Sequence, residues 1–335
     1  MRALVMGAGG EPRLVTERPR PVISAGQALI RMTMAGICST DLEIAKGYMD
    51  FSGVLGHEFV GVVEEVSDKS APGEPVPGEP VPGKPAMVGK RVVGEINIPC
   101  RSCPACTARM GNHCPTRGVL GIVGVDGAFA DHLTLPVENL HQVPDNVSDQ
   151  AAVFTEPLAA AFRILEQADI RPGMKVAALG VGRLGQLVVQ VLVAEGADVT
   201  AIGRSREKLE LLKGVAATTA LDTEVTCKAL FDVVVDSTGA PEGLARAMEL
   251  VRPCGTIILK TTVAAPARLD TNRLVIDEIT VIGSRCGPFD KALRALAEGT
   301  VDPAPLVSAT MSLGQAEEAM RIAAMPGAIK VLLHA

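Results

Sequence analysis

A chain of 335 residues that is 47% hydrophobic has enough apolar material for two packed domains, since single cores stop growing at about 250–300 residues. Its formal net charge of −6 gives no general attraction for phosphate backbones, and one Tyr with no Trp leaves little to stack on bases or anchor at a lipid interface, which argues against nucleic acid and membranes as partners. The N-terminus lacks the apolar core of a signal peptide and no apolar run is long enough for a membrane span, so the chain is expected to be cytoplasmic, where eight cysteines serve metals or sit buried rather than forming disulfides.

Residues 1 to about 150 read as a mostly β domain. "ALIRMTMAGI", "FVGVVEEV", "KRVVGEINI" and "FADHLTLP" are rich in β-branched residues and punctuated by Gly or Pro. Between two of these candidates, residues 72–86 carry near-copies of a five-residue proline unit, which reads as an extended, polyproline-like surface loop tolerated as an insertion. "CRSCPACTARMGNHC" follows, with Cys100, Cys103, Cys106 and Cys114 spaced C-x2-C-x2-C-x7-C inside a lobe at about residues 95–116. Four thiolates in one loop can close a tetrahedron around zinc, and such a site has no vacancy and quenched Lewis acidity, so it should hold a loop rather than react. His113 sits beside the last cysteine, but the four sulfurs suffice. Cys227, Cys254 and Cys286 are isolated and read as small buried hydrophobes.

"SDQAAVFTEPLAAAFRILEQADI" is expected to form a helix pair joining the two halves. Beyond residue 170 the rhythm becomes strand, helix, strand. "MKVAALG", "DVTAIG", "FDVVVDSTG", "GTIILK" and "ITVIGS" are apolar strands separated by amphipathic helices, the pattern of a parallel sheet covered on both faces. Gly180, Gly182 and Gly185 have the G-x-G-x-x-G spacing directly after an apolar strand and at the opening of a helix, where glycines let backbone approach a pyrophosphate on the helix N-terminus. At the end of the second strand, where an NAD site carries a carboxylate, the chain has Gly203 followed by Arg204, Ser205 and Arg206, with Lys208 beyond. Cations and a hydroxyl there suit a 2′-phosphate, so NADP is expected over NAD. Thr238, closing the "FDVVVDSTG" strand, joins the expected cofactor-binding residues.

Cys38 in "AGICSTD", His57 and Glu58 in "VLGHEFVG", and Glu156 in "FTEPLAAA" are zinc-compatible ligands. Spacing alone cannot assemble them, and each also reads as a buried thiol, a satisfied histidine or a helix-start carboxylate.

"AGICSTDLEI", "GVLGHEFVGVV", the cysteine lobe, "TEPLAAA" and "GVGRLG", in that order, resemble the zinc-containing medium-chain dehydrogenase/reductase family over essentially the whole chain. The resemblance implies an α/β protein: a GroES-like catalytic domain over 1–150, a Rossmann doubly wound sheet over 151–290, and a C-terminal return over 291–335. It implies two zinc ions per chain. Cys38, His57 and Glu156 would bind the catalytic one, with Glu58 able to replace a ligand, and the four cysteines would bind the structural one. Thr40 matches the hydroxyl that takes the substrate proton, and Asp41 would orient His57. The polyol and threonine dehydrogenase branch commonly has histidine three residues after that hydroxyl, whereas this chain has Glu43, which acts as a base only if partly buried and is otherwise a solvated helix charge. The implied reaction is reversible oxidation of an alcohol, polyol or sugar with NADP, NAD being the alternative, in a homodimer or homotetramer. The competing readings are a zinc-free quinone or enoyl reductase on the same fold and a non-catalytic NADPH or zinc sensor.

Overall fold

The computed structural model describes residues 1–7, 10–67, 87–262 and 266–335; the proline-rich stretch 72–86 lies outside them. The chain divides into two units, Met1–Glu156 with Val307–Ala335, and Pro157–Leu306. The expected boundaries at 150 and 290 thus lie at 156 and 306. One reason is the helix Phe289–Glu298, which buries Phe289, Ala292 and Leu293 and belongs to the second unit rather than to a C-terminal return.

In the first unit the alternation of "QALIRMTMAG" produces a strand, Gln27–Gly36, that buries Ala28, Ile30 and Met32 and exposes Arg31. It pairs antiparallel with Glu58–Val66 on one side and with Lys330–His334 on the other, at the centre of a seven-stranded sheet. The C-terminal strand runs parallel to Val307–Ser312, and between them the helix Ala316–Ala324 buries Ala319, Met320 and Ala323. Leu333, fully buried, joins Ile30, Phe59 and Leu135 in one core. The candidate "KRVVGEINI" is two short strands, Arg91–Gly94 and Asn97–Ile98, rather than one.

The second unit carries six parallel strands in the order Thr218–Leu221, Asp198–Gly203, Lys175–Leu179, Phe231–Asp236, Val251–Leu259 and Thr280–Gly283. Order reverses between Lys175–Leu179 and Phe231–Asp236, so their C-terminal ends part and open a crevice. The edge strand Thr218–Leu221 was not among the candidates, because two of its four residues are exposed and it lacks the apolar run of its neighbours. The joining segment forms two helices, Asp149–Ala152 and Thr155–Gln167, the first capped by Ser148 Oγ accepting from Ala151 N at 3.2 Å.

The isolated cysteines are not buried as expected: Cys227 and Cys254 are exposed and Cys286 is half-buried. Cys254 occupies a left-handed backbone position, φ 57°, where its strand departs from regular pairing and turns the side chain outward. Among the described residues no helix is long and apolar enough to cross a membrane.

Truncating Leu333 to Ala removes a buried side chain from the middle of the first unit's core. It should cost about 2–5 kcal/mol, read as a lower urea midpoint of that unit; an unchanged midpoint would detach the C-terminal strand from the core.

Candidate active site

The register of one strand pair assembles the first cluster. Gly36 stands opposite Glu58, so Cys38, two residues beyond one strand, and His57, one residue before the other, arrive at the same sheet edge. The Cys38 sulfur, a His57 ring nitrogen and a Glu58 carboxylate oxygen lie within 4.8 Å of one another. His57 and Glu58 are buried, and Cys38 is half-buried. Glu156, in the first turn of Thr155–Gln167, is half-buried and is not in this group.

Asp41 completes the cluster from the short helix Ser39–Ile44. Its Oδ2 accepts the Cys38 backbone N–H at 2.7 Å, and Oδ1 lies 3.2 Å from His57 Nδ1, near enough for charge attraction but off the line of a hydrogen bond. Burial would lower the His57 pKa, but Asp41 and Cys38 outweigh it and hold the imidazole well above its ordinary range. Glu58 Oε1 is buried with no hydrogen-bond partner among the described residues. A half-buried thiol, a buried imidazole in negative surroundings and an orphaned carboxylate oxygen are a donor set that fits a divalent cation such as zinc. Thr40 Oγ1 lies 3.8 Å from the Cys38 sulfur. Glu43 is exposed and pairs with Lys46 at 2.8 Å, so the burial that a base at this position requires is not met.

In the cysteine lobe, Sγ separations are 3.9 Å for Cys100 to Cys106, 3.5 Å for Cys103 to Cys106 and 3.9 Å for Cys103 to Cys114. A tetrahedron with zinc–sulfur bonds of about 2.3 Å has edges of about 3.8 Å, so the four sulfurs fit that ion, and His113 is not in the group. Sequence reasoning missed how the lobe is held. Arg101, at φ 63°, donates to Asn139 Oδ1 at 3.2 Å, and the buried Asn139 amide donates to the carbonyls of Glu95 and Asn97, each at 2.8 Å. Backbone and hydroxyl donors of Ser102 bring the Cys100 thiol down to about 5, while loss of water and the neighbouring Cys103 push Cys106 up to about 12.

In the second unit a cavity of 470 Å³ opens at the strand-order reversal. Of the expected cofactor-binding residues, Gly180, Gly182, Gly203, Arg204, Ser205 and Thr238 line it. Gly185 lies beneath the turn, where an added Cβ would be 1.8 Å from Gly180 O, so it permits close helix–strand packing rather than touching a ligand. Arg206 does not line the cavity; it pairs with Glu224 at 2.5 Å, because the helix Arg206–Glu210 starts at Ser205 and turns that side chain outward. Lys208, Asp222, Glu242 and Arg246 do line it. Asp222 is neutralised by Arg246 at 2.8 Å, whereas Arg204 and Lys208 form no ion pair among the described residues. Burial and the charge of Arg183 lower the Lys208 pKa. Asp236, buried at the end of its strand, accepts from Thr238 N at 3.0 Å, Thr238 Oγ1 at 2.8 Å and Thr261 Oγ1 at 3.0 Å. Its one sequence signal is a carboxylate closing the apolar run "FDVVVD".

Residues 24–145 match the family model of the alcohol dehydrogenase GroES-like domain, and residues 184–298 that of the zinc-binding dehydrogenase. Sorbitol dehydrogenase of Halalkalibacterium halodurans is 31% identical, over 99% of this chain and 99% of its own. The starvation-sensing protein RspB of Escherichia coli K12 is 28% identical over 92% and 91%. Among solved structures, an alcohol dehydrogenase (rspB) of E. coli CFT073 complexed with NADH superposes with a TM-score of 0.88 at 26% identity, covering 100% of this chain and 99% of that one. A protein of Sinorhizobium meliloti 1021 described as a zinc-binding dehydrogenase, bound to NADP, gives 0.86 at 26%, with the same coverage.

In protein stripped of metal, Cys100 should be the first thiol alkylated by iodoacetamide at neutral pH, and its rate should fall as pH drops through about 5, where the reactive thiolate takes up a proton. Cys106, protonated to about 12, should lag. Peptide mass spectrometry at timed quenches reads both; equal labelling of the two would contradict the donor pattern.

Proposed function

The chain belongs to the zinc-type medium-chain dehydrogenase family, and on that ground we propose that it is a zinc-dependent alcohol dehydrogenase, moving hydride reversibly between an alcohol, polyol or sugar and NADP(H). The observation that carries the reading is the meeting of Cys38, His57 and Glu58 in a buried group within 4.8 Å, beside Asp41. A zinc-free reductase has no use for such a concentration of buried donors, and a passive sensor has no use for a hydroxyl poised beside them.

Cys38, His57 and Glu156 would hold the catalytic zinc, with Glu58 as the alternative carboxylate, and Cys100, Cys103, Cys106 and Cys114 would hold a structural one. When bound, the catalytic zinc supplies Lewis acidity toward the alcohol oxygen, and the nicotinamide accepts or returns the hydride. Asp41 fixes the ring orientation of His57 by charge on its Nδ1 side, which leaves Nε2 for the metal. Thr40 takes the proton of the alcohol and passes it outward. Because Glu43 is exposed and paired with Lys46, that proton leaves to water rather than to a buried base.

The NADP preference is supported by Arg204 and Lys208, two cavity cations without a carboxylate partner, at a strand end that lacks the acidic residue of an NAD site. Assembly as a homodimer or homotetramer is supported by Val275 and Ile276, which expose apolar side chains close in sequence to the edge strand Thr280–Gly283.

Cys38→Ala or His57→Ala should abolish turnover across an alcohol panel while NADPH binding, followed by its fluorescence, persists; retained turnover would remove the metal from the reaction. Arg204→Asp should lower kcat/KM for NADP by about 10- to 100-fold, the worth of a charge-assisted hydrogen bond, with NAD little changed. Equal loss for both cofactors would place Arg204 away from the 2′-phosphate.

A further inference from the structure

Among the described residues Glu58 is the carboxylate grouped with Cys38 and His57, yet it is already engaged. Lys330 Nζ donates to Glu58 Oε2, and both side chains are buried, at 2% and 1% exposure. Lys330 comes from the C-terminal strand, which lies on the other side of Gly36 from Glu58. Two features pin the ammonium there. Its Nζ sits 5.5 Å from the centre of the Phe154 ring, a cation–π contact on the segment that leads into Glu156. Gly36 has no side chain to intervene: a Cβ would lie 2.6 Å from Glu58 Oε2, 2.7 Å from Val153 Cγ1 and 3.4 Å from Lys330 Cδ. The remaining carboxylate oxygen, Oε1, is buried and without a hydrogen-bond partner among the described residues, so the carboxylate is engaged by the lysine at one oxygen only.

We infer that Lys330 is a positioning residue that restrains Glu58 from closing on the catalytic metal. This inference rests on the metal-centre reading above. A free carboxylate beside a dication is a strong ligand; one whose Oε2 is held by a buried ammonium has lost most of its net charge to that partner and offers a single, weakened oxygen. Lys330 thereby keeps a coordination position open for substrate and lets Glu58 serve only in exchange. The residue lies far from every ligand in sequence, and its role follows from the packing of the C-terminal strand against Gly36.

The test is the rate of zinc release from the purified full-length protein into a chromophoric chelator, with the four-cysteine site as internal reference. In Lys330→Met, Glu58 is free to bind, and the Cys38–His57 zinc should leave more slowly by on the order of tenfold or more, in line with the effect of removing a partner behind a ligand; release from the cysteine lobe should not change. The effect should vanish on the Glu58→Gln background, so that E58Q and E58Q/K330M release zinc at the same rate. Should K330M fail to fold with its unpaired carboxylate, E58Q and the doubly neutral E58Q/K330M still decide. E58Q should release within about twofold of the wild-type rate, because in the wild type the carboxylate is restrained, a difference below the usual consequence of losing a ligand. Release from E58Q tenfold faster than wild type, or from K330M at the wild-type rate, overturns the inference. Wild-type protein that holds zinc only at the cysteine lobe overturns the metal-centre reading, and this inference with it, and that outcome is read from zinc stoichiometry before any variant is made.

Discussion

The first unit depends on a backbone junction at Gly36. Glu58 faces it from one neighbouring strand and Leu332 from the other. The absence of a side chain lets a carboxylate and an ammonium meet across the strand, and the pairing register brings Cys38 and His57 to one edge. A slip of one residue would turn Glu58 to the opposite face. The buried Glu58–Lys330 pair contributes little net stability, because two desolvated charges roughly cancel their attraction, yet removing one partner typically costs about 3–5 kcal/mol. An apolar pair of similar volume would fold as well. What it could not do is set the charge beside the donor group, and that makes the pair a functional rather than a stabilising feature.

The second unit solves a related problem with backbone. Gly180 adopts φ 93°, and Gly185 brings the helix Arg183–Ala194 onto the turn, so that backbone without side chains borders the cavity at Gly180 and Gly182. Charged side chains gather at and after the end of Asp198–Gly203. There Asp222 is paired with Arg246 and Glu242 also lines the cavity, while Arg204 and Lys208 form no ion pair among the described residues, and the proposed preference for an added phosphate rests on those two cations.

Much of this was legible in the sequence because it is local. The strands of the parallel sheet announce themselves as buried apolar runs, the glycine turn sits between a strand and a helix, and the four cysteines lie within one loop. What the sequence concealed is non-local or geometric. Nothing in the chain shows that Lys330 is buried, since an isolated lysine near a terminus ordinarily reads as solvated. Arg206 looked like a cavity cation because it follows Arg204 closely, but a helix begins between them and sends it to Glu224. Cys254 looked like a core thiol until a left-handed backbone residue turned it outward. Asn139, which ties the cysteine lobe to the sheet, carries no motif at all; only its two carbonyl acceptors and Arg101 identify it.

The two donor groups differ in charge in a way that matches the proposed division between a site that holds and one that reacts. Four thiolates exceed the charge of a dication, fill its tetrahedron and leave it no electrophilic character. The buried group is built the opposite way. With Glu156 as the proposed third ligand, Cys38 as thiolate and that carboxylate would balance a dication, a neutral imidazole would add no charge, and the surplus carboxylate Glu58 is held from behind by Lys330. Asp41 contributes its charge through His57 and not directly. A metal held in this way would keep its affinity and supply Lewis acidity. The difference between the two sites therefore lies less in which ligands each offers than in where the excess negative charge is spent.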